Sequence, residues 1–341
     1  MDELDKLLSD LYGKRPSLEK AWMNLNPVDL SALSELLKVQ LHFVLSTNER
    51  GLAAIQVMES NGIDFKGAHV LDVGCAYGGF TIEAYRRGAA EVYGIDINDK
   101  FVFLAKENLK DETKTIQEGV TFATYDITST AADELPDSFF NIIILNDVFE
   151  HIYDTTRLLS VLSRLAAPKC HLYFEIPNGL HFFDYVEREP HYHKYGLSIV
   201  EPQLSDIRGV FYRRWEFYEA LFSYFGFSVI KFCNEATVKN VDFIKRYENV
   251  EKSLSEAFAN DTSAVSKAIM KSLEKFKLEL QHDLTSMDED ELAFKYLTSF
   301  WKGIAQYDPK RNAMRFKTHL TAETKQGIVS RITQYLSGHS K

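Results

Sequence analysis

From residue 69 onward the chain alternates short apolar runs with amphipathic stretches. Val70, Leu71 and Val73 open the series, and similar runs recur at 91–97, 120–126, 140–146, 171–176 and 227–233. Short apolar runs of this length, without strict polar alternation, are the pattern of parallel strands buried on both faces. Between them, 79–88, 99–109, 149–166 and 213–225 place apolar residues at helical spacing. Asn98 or Asp99 stands where a cap for the second of these helices is needed. Strands alternating with helices predict an α/β fold, a doubly wound and mostly parallel sheet covered on both faces.

The flanks carry helical patterns only. Leu4, Leu7, Leu8 and Leu11 share one face, as do Leu33, Leu36, Leu37 and Leu41, and Pro16 and Pro27 punctuate the segment. A further helix over 49–61 ends at the turn pair Asn61-Gly62. Beyond 240, Val265, Ile269, Leu273, Phe276 and Leu280 form one stripe, and Phe294, Leu297, Phe300, Trp301 and Ile304 form another. Both predict helices packed on a core. The expected organisation is an N-terminal helical cap at 1–50, a core at 51–238 and a mainly helical C-terminal extension at 239–341. Within the core, 179–212 is too long for an ordinary connection and is expected as a substrate-site insertion.

Composition narrows the partners. The 341 residues are 45% apolar and 26% charged, with a formal net charge of -10, the balance of an ordinary globular protein. Residues 1–240 carry 23 basic against 35 acidic side chains, and 241–341 carry 16 against 14. A nucleic-acid partner would want a basic footprint, so none is expected. Cys75, Cys170 and Cys233 form no CxxC pair and read as thiols in a reducing compartment. The acidic N-terminus is unlike a signal peptide, and no apolar stretch reaches the ~20 residues needed to cross a bilayer. A cytoplasmic protein with no membrane partner is expected.

The first strand ends in a glycine-rich turn, Gly74-Cys-Ala-Tyr-Gly78-Gly79-Phe80, and Asp96 closes the second strand about 20 residues later. That spacing belongs to a nucleotide-binding βαβ unit, in which backbone amides approach the ligand and an acid meets ribose hydroxyls. A dinucleotide site, and with it NAD-dependent oxidoreduction, fits less well. Position 76 is Ala where that fingerprint has Gly, and Asp72 stands inside the strand.

Asp72-x-Gly74-x-Ala76-x-Gly78 resembles motif I of the class I S-adenosylmethionine (SAM) dependent methyltransferases, with Ala in place of the middle Gly. The resemblance continues at Asp96-Ile97, at Tyr125-Asp126-Ile127 after the third strand, and at Asn146-Asp147-Val-Phe-Glu150-His151 after the fourth. This last stretch is similar to the x-x-Val-x-Glu-His motif of a subgroup that includes ubiquinone-pathway O-methyltransferases. As a set these motifs cover roughly residues 65–235. The resemblance implies a Rossmann-like seven-stranded sheet, although a seventh strand is not obvious and Ala313 to His319 is one candidate. It implies S-adenosyl-L-methionine as cofactor, surrounded by Asp72, Gly74, Cys75, Ala76, Tyr77, Gly78 and Phe80. It further implies Asp96 and Ile97 at the ribose, Asp126 and Ile127 at the adenine, and Asn146 and Asp147 beside the methionine portion.

An activated sulfonium methyl needs an aligned nucleophile, and a hydroxyl nucleophile also needs a base. His151, His191 and His193 are the candidates, with His181 nearby in sequence. A divalent metal is not expected, although Asp147, Glu150, His151, His191 and His193 include the ligand types for one. Aromatic residues at 181–218 suit the wall of a pocket for a small organic acceptor. Arg208, Arg213 and Arg214 could clamp an anionic group or simply begin a helix. The expected activity is methyl transfer to a small molecule, with a hydroxyl of a sugar or nucleotide-linked sugar as first choice. N-methylation of a metabolite, or a SAM-binding non-catalytic subunit, are the alternatives. The helical ends offer surfaces for a homo-oligomer.

Overall fold

The computed structural model describes residues 3–27, 33–129, 134–178, 180, 211, 213–233, 242–298 and 300–312. Four helices precede the sheet: α1 (Glu3–Ser9), α2 (Pro16–Leu25), α3 (Glu35–Leu45) and α4 (Thr47–Ser60). Then come β1 (His69–Val73), α5 (Gly79–Arg86), β2 (Glu91–Asp96), α6 (Asp99–Lys110), α7 (Lys114–Gly119), β3 (Val120–Thr124) and β4 (Phe140–Asn146). A 3₁₀ turn, Phe149–His151, leads to α8 (Thr155–Leu165), β5 (Ala166–Pro177), α9 (Trp215–Tyr224) and β6 (Phe227–Phe232). Helices α10 (Phe243–Ala257), α11 (Ala264–Ser286) and α12 (Glu289–Tyr296) precede β7 (Phe300–Tyr307).

The strands form one sheet in the order β3-β2-β1-β4-β5-β7-β6. β7 runs antiparallel to both β5 and β6, while the neighbouring pairs from β3 to β5 are parallel. The order reverses between β1 and β4, which opens a crevice at their carboxyl ends. Helices cover both faces, as the alternation predicts. On one, Leu158, Leu159, Leu162 and Leu165 of α8 and Phe222 of α9 pack against Ile143, Leu145 and Phe174. On the other, Ile55 and Met58 of α4 and Ala84 of α5 pack against Val70, Ile142 and Ile144. Burial of each such leucine or isoleucine side chain contributes roughly 1.5–3 kcal/mol.

Three elements differ from the sequence expectation. The seventh strand is Phe300–Tyr307 and not Ala313 to His319, a stretch that lies outside the described residues. The supposed helical stripe from Phe294 to Ile304 therefore divides, with α12 ending at Tyr296 and the rest entering the sheet. Strand β7 sits between β5 and β6; it buries Trp301, Ala305 and Tyr307 on one face and Ile304 on the other, so its apolar residues do not alternate strictly. Helices α10 to α12 are thus inserted between β6 and β7, and the sheet draws its last strand from the region read as an extension.

The helix expected over 149–166 is also broken. Asp154 accepts the amide of Arg157 and caps α8, leaving Phe149–His151 as a separate turn that feeds the crevice. Finally, α7 adds a short helix before β3 that the polar pattern does not reveal.

Candidate active site

The crevice holds a cavity of about 730 Å³ across the carboxyl ends of β1 to β4. The loop after β1 forms its floor. Gly74 has φ +72, and a Cβ there would stand 2.6 Å from Cγ2 of Val148, so the close approach of the β4 loop requires glycine. The amides of Gly74 and Cys75 both donate to the Ile95 carbonyl, at 2.8 and 3.0 Å. Ala76 is itself left-handed, at φ +44, and its amide donates to Oδ2 of Asp96 at 3.0 Å. Gly78 then caps α5, while Tyr77 and Phe80 face the cavity from either side of it.

Beneath the floor, Asp72 is buried and accepts the Thr81 hydroxyl at 2.6 Å. Burial pushes its carboxyl up to about 7, the Thr81 hydrogen bond pulls it down, and nearby Asp96 adds to the rise. Asp96 spends its other oxygen on the Asn98 amide, at 2.8 Å.

One end of the cavity is mainly apolar, with Ile97, Phe101, Tyr125 and Ile127 along it and Asp126 at its rim. Ile97 is 70% exposed and lines the cavity. Asp126 accepts the amide and hydroxyl of Thr128 through Oδ1, at 2.8 and 2.7 Å.

The other end is charged. Asn146 closes β4, and Asp147 follows in a left-handed conformation, φ +54. Asp147 takes the Asn146 side-chain amide on Oδ2 at 3.2 Å, and its Oδ1 is buried with no hydrogen-bond partner among the described residues. Burial first, and Glu175 second, raise its carboxyl to about 6, while Arg50 and Lys302 oppose the rise. Glu175 is itself paired to Lys302 at 2.8 Å. Next along the turn, Glu150 is buried and its Oε2 is also unpartnered. Burial and the neighbouring Asp147 push it up to about 8. His151 reaches the cavity with half its side chain exposed, its Nε2 3.8 Å from Oε1 of Glu150.

Of the residues singled out in the sequence, those of motif I other than Gly78 meet in this one cavity with Asp96, Ile97, Asp126, Ile127, Asn146, Asp147 and His151. His191 and His193 lie outside the described residues, as does nearly all of 179–212. Arg213 and Arg214 do not face the cavity. Arg213 is buried and donates to the carbonyls of Ile152 and Tyr153 at 3.2 and 3.1 Å, and Arg214 pairs with Glu279 of α11. Tyr218 belongs to the core. Among the described residues no group of three His, Cys, Asp or Glu side chains could hold a metal ion.

Helix α4 supplies what the sequence reading missed. Thr47 and Arg50 line the charged end, with the guanidinium also 4.8 Å from the Phe43 ring. A signal for this was present. Gly51 sits mid-helix, where glycine costs about 1 kcal/mol relative to alanine. A Cβ at Gly51 would stand 2.5 Å from the Gly79 backbone. Two glycines in register let α4 lie directly on the start of α5, which carries Arg50 to the mouth of the loop.

Residues 64–206 match the family model of a methyltransferase domain. Over those residues the chain is similar to a methyltransferase domain, in keeping with the resemblance carried by motif I and Asp96. The ubiquinone biosynthesis O-methyltransferase of Coxiella burnetii is 31% identical over 116 residues, which is 34% of this chain and 46% of that protein. The ribosomal protein L11 methyltransferase of Aliivibrio fischeri is 32% identical over 97 residues, 28% of this chain and 32% of the relative. The chain thus spans less than half the length of these curated relatives. A SAM-dependent methyltransferase structure from Mesorhizobium loti aligns over 74% of this chain and 97% of its own, at 16% identity and a TM-score of 0.44. Among the described residues no helix is long and apolar enough to cross a membrane.

Proposed function

We propose that the chain transfers the methyl group of S-adenosylmethionine to a small-molecule acceptor. One observation carries this reading: the cavity sets Asp96 at one end, Arg50 and Asp147 at the other, and apolar side chains beside Asp96. An adenosyl group joined to an amino-acid tail has needs in that order. Each oxygen of Asp96 holds one backbone amide and keeps a second lone pair for a ribose hydroxyl. Ile97, Phe101 and Ile127 offer apolar faces to an adenine ring, and Asp126 an acceptor for its amino group. Arg50 suits the tail's carboxylate, and the buried, unpartnered Oδ1 of Asp147 suits its ammonium.

Bound there, the cofactor supplies a sulfonium methyl already activated for displacement. The work left to the chain is alignment, exclusion of water and, for a hydroxyl acceptor, removal of a proton. His151, at the open side of the charged end, is the described residue placed for that proton. His191 and His193 remain the other candidates. No metal enters the reading. The narrower acceptor, a hydroxyl of a sugar or nucleotide-linked sugar, rests on analogy with methyltransferases of surface glycans and secondary metabolites and not on a side chain of the cavity.

Titration calorimetry with S-adenosylhomocysteine tests the cofactor, with Asp96→Ala as control. Tight binding of the intact chain and its loss in the variant are expected. Binding of NADH with none of the homocysteine compound would overturn the reading. Labelled SAM offered with nucleotide sugars, free sugars, phenols and amines then selects the acceptor. Label transfer that begins only when a second protein is added would favour a subunit role.

A further inference from the structure

The glycine-rich loop is held from behind as well as from within. Asn108, on α6, is fully buried, and its Nδ2 donates to the carbonyl of Tyr77 at 2.9 Å. The same amide nitrogen meets the side chain of Asn48 at 2.8 Å. Asn48 is buried on the first turn of α4, next to the cavity-lining Thr47 in sequence. The Tyr77 ring packs against the apolar cluster of the N-terminal helices, which includes Leu18, Trp22, Leu41 and Leu45. It also meets the Phe101 ring edge-on, with centroids 5.2 Å apart. Tyr77 is thus gripped at both ends, by the helical cap through its ring and by Asn108 through its carbonyl.

The cap is seated by charge at the same place. Arg15, at the start of α2, pairs with Glu112, which also pairs with Arg86 of α5. The Asp111 carboxylate accepts the amides of Ser17, at 3.0 Å, and Leu18, at 3.3 Å, in the first turn of α2. Glu112 lies within 3.5 Å of the Asn48 amide. Cap, α4, α6 and loop therefore share one continuous polar contact, running Arg15, Glu112, Asn48, Asn108, Tyr77.

We infer that Asn108, together with Asn48, is a positioning residue for the cofactor, setting the Tyr77 carbonyl so that seating of the N-terminal helices fixes the shape of loop 74–78. Asn108 does not line the cavity; it acts through Tyr77, which does. The physical reason is the accounting of buried polar groups. Loop 74–78 points its amides at Ile95, Asp96 and Cys75, and the Tyr77 carbonyl, turned away from the cavity, needs a donor from the protein. Take the donor away and that carbonyl is satisfied only by turning toward solvent, which carries the neighbouring Ala76 amide off Asp96. This inference rests on reading the cavity as the cofactor site.

The experiment compares Asn108→Ala, Asn48→Ala and, as a control, Leu162→Ala, a fully buried position on α8 remote from the loop. Two quantities are read: S-adenosylhomocysteine affinity by calorimetry, and amide hydrogen exchange across 74–79 in the ligand-free chain. Loss of one buried hydrogen bond that acts on the site predicts about tenfold weaker binding in Asn108→Ala. Exchange at Ala76 and Gly78 should rise with it. Leu162→Ala should lower the melting temperature while leaving both readouts within about twofold of the intact chain. Asn48→Ala should move both readouts in the same direction as Asn108→Ala by a smaller factor, and it carries the test if Asn108→Ala does not fold. Unchanged affinity and exchange in the folded Asn variants, or changes no larger than those of Leu162→Ala, overturn the inference. If the intact chain binds no S-adenosylhomocysteine, the cofactor reading fails by itself and the exchange comparison still decides the role of Asn108.

Discussion

The carboxylate of Asp96 accepts the backbone amide of Ala76 at 3.0 Å, so the acid that ends β2 and the loop that follows β1 form a single wall of the cavity. Removing the carboxylate therefore costs a ligand contact and a loop contact together. Asp96→Ala should weaken S-adenosylhomocysteine binding between about tenfold and a hundredfold, in keeping with hydrogen bonds to a charged group. Asp96→Asn keeps an acceptor for Ala76 and should lose less. Equal losses in the two variants, by calorimetry, would show that the loop contact plays no part.

Arg50 comes from a helix outside the motif region and, among the described residues, is the arginine or lysine lining the charged end. Arg50→Ala should weaken S-adenosylhomocysteine by at least about tenfold, while 5′-methylthioadenosine, which lacks the amino-acid tail, should bind as before. Parallel loss of both ligands would place Arg50 away from the carboxylate.

Positions 74 and 76 should respond in opposite ways. In Gly74→Ala the new Cβ meets Val148 at 2.6 Å on a left-handed backbone, so a loss of about 1–3 kcal/mol of stability is expected, with loss of ligand binding. Ala76→Gly removes a Cβ from a left-handed residue and adds entropy to the unfolded chain, two effects of about 1 kcal/mol that oppose each other. It should fold and bind normally. Urea unfolding of the two variants separates them, and a strongly destabilised Ala76→Gly would contradict the strained geometry of the loop.

The buried acids make the ligand-free fold sensitive to alkali. Burial raises Asp72 to about 7, Asp147 to about 6 and Glu150 to about 8, so the folded chain holds these protons more tightly than the unfolded one. Their contribution to stability is complete below the ordinary carboxylate range near pH 4, and is lost as pH rises through 6 to 8. The melting temperature of the ligand-free chain should fall between pH 5 and pH 8.5. Glu150→Gln keeps the shape without the charge and should flatten the upper part of that fall. Calorimetric melts of the two proteins running parallel over the whole range would remove Glu150 from the account.

Much of this was legible because parallel strands and their loops leave local marks. Val70, Leu71 and Val73 must be apolar because β1 is covered on both faces, and Gly74 must be glycine because its φ and Val148 both demand it. Asp72, Asp96, Asp126 and Asp147 recur at strand ends, where the crevice of a doubly wound sheet opens. Strand β7 left no such mark. Phe300 to Tyr307 buries Ile304 on the face opposite Trp301, Ala305 and Tyr307, which interrupts the alternation, and its aromatic residues continue the helical spacing of α12. Arg50 was hidden for a different reason. Nothing within α4 distinguishes its charge from a solvated one; the lone Gly51 was the trace of its packing on Gly79.

By itself the sequence determined the class of the fold, the places of its first six strands along the chain and the acids at the ends of the first four, because each depends on neighbours within a few residues. Tertiary structure alone decided which strand completes the sheet, that Arg213 and Arg214 support the framework, and that α4 brings a cation to Asp147. It also decided that Asp72, Asp147 and Glu150 hold their protons more tightly than free carboxyls. Those outcomes arise from burial and from contacts between segments distant in the chain, and such contacts exist only once the sheet has brought the segments together.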